Sequence, residues 1–189
     1  MRRIAFLIAA LIASGPALAQ SWKEYTYPQY SFAVSFPAEP SVETTSYQTA
    51  EGASAEARVY SVAQPNAVFT MTVVDLSDVQ TEEKAVIDYA IRNLAEGGEV
   101  KLDIPHRISR VYGRQLSIAG QDGSHSSIAL FYYKKRLYQI QGVALPSGED
   151  ATAEAIRFQQ SLVFTNNAAN RTLLEPVFQV VRRSIGGDR

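Results

Sequence analysis

The sequence predicts an α+β domain, an antiparallel sheet sandwiched by helices. Three observations point there. The stretch Ser127 to Val143 (S-I-A-L-F-Y-Y-K-K-R-L-Y-Q-I-Q-G-V) reads as two adjacent strands. Two other segments carry apolar residues at helical spacing. Between and before them the apolar period returns to two, giving four strands, a helix, about four strands and a second helix.

In the first strand of the Ser127–Val143 stretch, Ile128, Leu130 and Tyr132 project one way and Ala129, Phe131 and Tyr133 the other. Both faces are apolar, so this strand should lie centrally and be covered on both sides. In the second, Tyr138 and Ile140 alternate with Gln139 and Gln141, which predicts one buried and one wetter face. Lys134-Lys135 between them is a poor tight turn, because neither residue favours a positive φ. The hairpin is inferred from its flanks.

Taken in order, Arg2 and Arg3, the apolar run Ile4 to Ile12 and the small-residue site Ala17-Leu18-Ala19 make residues 1–19 a secretory signal peptide. The mature chain would start at Gln20, in the periplasm or outside the cell, with no membrane-spanning stretch of the required roughly 18 apolar residues. Trp22, Tyr25, Tyr27 and Tyr30 follow, expected to cover the edge of the sheet. Phe32, Val34 and Phe36 form a short strand that Pro37 ends. Val42 to Thr49 is polar and β-branched, an exposed strand, and Glu51 to Ser54 a turn. Ala57 to Ala63 and Ala67 to Asp75 form a hairpin around Gln64-Pro65-Asn66, with Phe69, Met71 and Val73 facing in.

The first helix has Thr81 as its candidate cap, Glu82 and Glu83 at its positive end, and a stripe of Val86, Ile87, Ala90, Ile91 and Leu94. Gly97-Gly98 stops it. Val100, Leu102 and Ile104 resume strand alternation until Pro105 interrupts, Val111 to Ala119 is the next strand, and Gln121-Asp122-Gly123 turns into the opening hairpin. Ser147 or Asp150 caps the second helix, with Ala151, Ala155, Phe158 and Leu162 on one face and Ile156 beside it. Tyr138, Ile140, Leu130 and Phe158 are the predicted core. Residues 20–165 therefore form one domain. Asn166 to Asn170 is a polar break, and 166–189 a flexible tail or short helix beginning near Glu175-Pro176.

Composition removes several functions. The chain has 189 residues and no cysteine, which excludes disulfides, an acylated N-terminal cysteine and thiol catalysis. Its net charge is −1, and −3 once Arg2 and Arg3 are gone, with no clustered basic run of the kind nucleic acid needs. Phosphate-cradling and dinucleotide-binding glycine motifs are missing.

A lead-in of Trp22 and Tyr25, then F-A-V-S-F-P-A-E-P from Phe32 to Pro40, Gly113-Arg114, R-L-Y-Q-I at Arg136 to Ile140 and R-F-Q-Q-S at Arg157 to Ser161 resemble the PsbP-like families in order and spacing. These comprise the extrinsic PsbP protein of photosystem II and many small secreted bacterial proteins. The resemblance spans about Trp22 to Phe164 and implies a PsbP-like α/β/α sandwich and no catalytic residue, because the shared motifs are apolar and structural. Where many relatives carry an acidic residue after the Gly-Arg pair, Gln115 stands here, leaving Arg114 no acidic neighbour in sequence.

Two constellations could carry chemistry. Asp103-x-x-His106 and Asp122-x-x-His125 offer ligands for zinc or another transition metal. On a strand, however, positions three apart point to opposite faces. Asp122, Ser124 and His125 are the residue types of a hydrolase triad, but triads are assembled in space, and no Gly-x-Ser-x-Gly elbow is present. The expectation is thus a non-catalytic periplasmic binding or accessory domain, with no catalytic, metal or cofactor residues assigned. Its partner would be another envelope protein or envelope component. A metal- or small-ligand-binding protein using the two Asp/His pairs, and a hydrolase around His125, are the alternatives.

Overall fold

The computed structural model describes residues 22–146 and 151–165. The expected targeting segment 1–19, the expected caps at Ser147 and Asp150, and the expected tail from Asn166 lie outside them. The strands β1 (Lys23–Tyr27), β2 (Phe32–Phe36), β3 (Ser41–Gln48), β4 (Ser54–Ala63) and β5 (Ala67–Asp75) precede helix α1 (Glu83–Ala95). Then come β6 (Gly98–Ile108), β7 (Val111–Gly120), β8 (His125–Tyr133), β9 (Arg136–Ala144), helix α2 (Ala151–Gln160) and a short β10 (Val163–Phe164). All pairings are antiparallel. The large sheet runs β3-β4-β5-β9-β8-β7-β6, and the small one β1-β2-β10. The fold is α+β.

Alternation along β8 and β9 splits the core in two. Ala129, Phe131, Tyr138 and Ile140 join Phe69, Met71 and Val73 of β5, Phe32, Val34 and Phe36 of the small sheet, and Ala151, Ala155 and Phe158 of α2. Ile128, Leu130 and Leu137, one position along, join Leu116, Ile118, Val74 and the α1 residues Val86, Ile87 and Ala90. Adjacent residues of one strand thus belong to different clusters, and the large sheet divides them. The four core residues expected from sequence are all fully buried. Helix α2 approaches the sheet closely enough to touch bare backbone. A Cβ on Gly142 would stand 2.6 Å from Ala155 Cα and 2.5 Å from its carbonyl oxygen. Gln159, on the buried side of the same helix, is fully buried, and its amide has no hydrogen-bond partner among the described residues.

Five local expectations change. The aromatic lead-in does not cover an edge. Part of it is strand β1, and its rings roof the core, with Trp22 5.2 Å from Phe69 and Tyr27 4.9 Å from Phe32 between centroids. Phe164, expected to end the domain, adds a third strand to that sheet by pairing with Phe32. Thr81 does not cap α1. Glu82 occupies the cap without a side-chain bond, and the Thr81 hydroxyl donates to Glu51 Oε1 at 3.2 Å. Pro105 does not interrupt its strand, because β6 is the edge of the sheet, where a missing N–H can face outward.

Lys134 and Lys135 do form the tight turn, with φ of 49° and 57°. Tertiary contacts hold it: the Lys135 carbonyl accepts the Leu76 N–H at 2.9 Å, and Lys134 Nζ donates to Ser31 Oγ at 3.3 Å.

Replacing Lys134-Lys135 by Asn-Gly should relieve this left-handed backbone and raise stability by about 1 kcal/mol. Reversible urea unfolding measures it, and a loss of stability would show that the lysine contacts outweigh the strain. Phe158→Ala should cost roughly 3–5 kcal/mol in the same measurement. A cost below about 1 kcal/mol would place Phe158 outside the core.

Candidate functional site

The first turns of α1 and the start of β7 diverge. Leu116 and Ile118 lie under the helix with Ile87 and Ala90, but two positions earlier β7 has Arg114, and then Gly113. Gly113 has no room for a side chain, since a Cβ there would collide with the Leu130 carbonyl and come within 2.5 Å of Phe131 Cδ1. That close approach is on the face turned away from α1. On the α1 side, the divergence of helix and strand leaves a cleft of about 410 Å³, walled by Glu83, Lys84, Ile87 and Asp88 of α1 and by Tyr112 and Arg114 of β7.

Its charges are fixed in pairs. Arg114 meets Asp103 of the neighbouring strand, Nη2 at 2.6 Å and Nε at 2.8 Å from the same Oδ1. Arg114 therefore has an ion-pair partner, supplied across the sheet. Lys84 pairs with Asp88 one turn along α1, and that hydrogen bond holds the Asp88 carboxyl below the usual carboxylate range, where it is ionised at neutral pH. Tyr112 forms the lip. It is 65% exposed, with the Arg107 guanidinium 5.8 Å from its ring. An apolar floor, an aromatic lip and paired charges suit recognition by stacking and ionic contact.

The Asp/His pairs fall elsewhere. Asp103 faces the α1 side, in register with Leu116. His106, opposite Gly113, faces the other way, its ring 5.7 Å from Phe131. Burial pushes its imidazole below the ordinary 6.5. Asp122 sits in the turn before β8, accepting the Ser124 N–H at 2.9 Å, and the Ser124 hydrogen bonds lower its carboxyl. His125 is exposed and in register with Ala119. The two histidines therefore flank β7 six positions apart, about 20 Å along the strand. Among the described residues, no three His, Asp or Glu side chains come together as metal ligands. The cleft itself was missed by motif reading. Its one signal in the sequence is Gly113-Arg114 on a strand beside an amphipathic helix.

No family model matches the chain, and no curated protein matches it in sequence. Among solved structures the chain is similar to the solution structure of cyanobacterial PsbP (CyanoP) from Synechocystis sp. PCC 6803. The TM-score is 0.49 at 12% identity, over 82% of this chain and 99% of that one. It is also similar to a Pseudomonas aeruginosa protein of unknown function, with a TM-score of 0.36 at 14% identity over 72% of this chain and 94% of the other.

The half-buried His106 imidazole, its pKa lowered by desolvation, resists protonation in the folded state. Stability from this source is complete above pH 6.5 and falls as the pH drops below it, where the unfolded chain binds the proton more readily. Melting curves of the native protein should show this loss as the pH falls below about 6.5, and His106→Asn should remove it. An unchanged profile in the variant would assign the loss to another group.

Proposed function

We propose that this chain is a non-catalytic binding or accessory domain of the PsbP-like kind, with the α/β/α sandwich of that family. In this reading residues 1–19 are cleaved near Ala19, residues 20–165 are the working domain in the periplasm or outside the cell, and 166–189 are an appendage. Its partner is another envelope protein or envelope component. The observation that carries the reading is the α1/β7 cleft. Its exposed Tyr112 is set beside two ion pairs that are already satisfied, so the surface offers contact area and charge pattern. Such a site gains affinity when a partner buries the exposed aromatic ring and makes it a desolvated anchor.

Affinity capture from the native cell envelope with the exported protein and with Tyr112→Ala tests it. The expected result is a specific partner retained by the native protein and lost at least tenfold in the variant, matching the roughly 1–2 kcal/mol of an exposed aromatic anchor. The same preparations enter an elemental scan and an esterase and phosphatase screen. Turnover abolished by His125→Ala would overturn the proposal in favour of a hydrolase. A stoichiometric metal lost in the His106→Ala, His125→Ala double variant would overturn it in favour of metal binding.

A further inference from the structure

Hairpin β6–β7 turns at Ser109-Arg110, and β8–β9 at Lys134-Lys135. Strands β7 and β8 are neighbours, with Gly113 opposite Phe131. Their pairing ends at that point, so both tips emerge from the same end of the sheet. Ser109, Lys134 and Lys135 all have left-handed backbone, with φ of 57°, 49° and 57°. Turns of this geometry favour Asn and Gly, and none of the three is either. Backbone strain retained at such a point directs attention to what the side chains do.

Those side chains are cations. Arg107, Arg110, Lys134 and Lys135 are exposed. Lys134 contacts Ser31 Oγ and lies 5.0 Å from the Tyr133 ring centre, and Arg107 lies over Tyr112. Among the described residues none of the four is in a salt bridge, whereas the neighbouring Arg136 is paired with Asp75 at 3.1 Å. Asp78 and Glu82 share a cleft wall with Lys135 and bound the patch on the α1 side. The whole chain has a net charge of −1, so this positive end is a local feature.

We propose that the paired tips are an electrostatic docking site for an anionic phospholipid surface. Two tips projecting from the end of a rigid sheet meet a plane. Each basic residue held close to an anionic bilayer raises affinity about fivefold, and salt screens the effect. The patch adjoins the α1/β7 cleft through Arg107 and Tyr112, but its charge at Arg110, Lys134 and Lys135 does not depend on the function proposed for the cleft.

Co-sedimentation of the exported protein with phosphatidylcholine vesicles, with and without phosphatidylglycerol, tests the proposal. Binding should require phosphatidylglycerol and disappear at high salt. Arg110→Glu with Lys134→Glu and Lys135→Glu should abolish it, while Lys23→Glu with Arg92→Glu and Lys101→Glu, the same change of charge placed elsewhere, should weaken it far less. The Lys134→Asn, Lys135→Gly variant separates charge from folding. It keeps the turn and should melt no lower than the native protein, yet bind vesicles at least about tenfold more weakly. Equal loss in the tip and control variants, undiminished binding by the Asn-Gly variant, or no binding to phosphatidylglycerol would overturn the proposal. So would failure to bind vesicles combined with tip-dependent binding of polyglutamate, which would identify an acidic polypeptide as the ligand.

Discussion

Strand β8, apolar on both faces at its centre, and its neighbour β9, with one buried and one wetter face, dictate the rest of this architecture. Strands β8 and β9 bury Ala129, Phe131, Tyr138 and Ile140 on one side and Ile128, Leu130 and Leu137 on the other. Each such side chain gains roughly 1.5–3 kcal/mol from leaving water, so both sides must be covered. Helix α1 supplies one cover. The other needs more area, and α2 shares it with the small sheet and the aromatic lead-in. Without cysteine in the sequence, this double burial takes the place that cross-links fill in many exported domains.

The second cover is fitted closely. Phe158 touches Phe36 and Phe69, at 4.9 and 5.3 Å between ring centres, and Phe164 meets Phe131 and Tyr138 nearly edge-on. The Tyr138 hydroxyl escapes burial without a partner by donating to the Tyr30 carbonyl at 2.7 Å. Desolvation pushes its pKa up to about 12, so this donor keeps its proton throughout the physiological range. At the sheet's open edge, β6 leaves Leu102 and Ile104 partly exposed, but a bulge beside Lys101 and the ring of Pro105 spoil it as a template for another strand.

What could be read from the sequence was what depends on near neighbours. Period-two alternation located β2, β5, β8 and β9, and the 3.6 period located both helices. The misreadings share a cause in distant contacts. Strand β10 is two residues long and exists because Phe32 lies opposite Phe164. Lys134-Lys135 turns against its own preference because Leu76 and Ser31 hold it. Pro105 is tolerated because its strand is outermost, a property of sheet order. At the cleft, the expectation that Arg114 lacked an adjacent acid was correct along the chain, yet Asp103 faces it from the next strand. The Asp-x-x-His spacing, in turn, pointed its members to opposite sides of β6, as strand geometry requires.

The pairing of Phe32 with Phe164 also fixes an order in time. A chain made or threaded from its N-terminus presents β2 early, but the strand that completes its sheet is the last of the domain to emerge, and α2, which roofs the same core, comes just before it. Until then β2 lacks its β10 partner and Phe36 lacks the Phe158 ring that packs on it. Contacts this distant in sequence form slowly. The described fold is therefore completed by its closing residues.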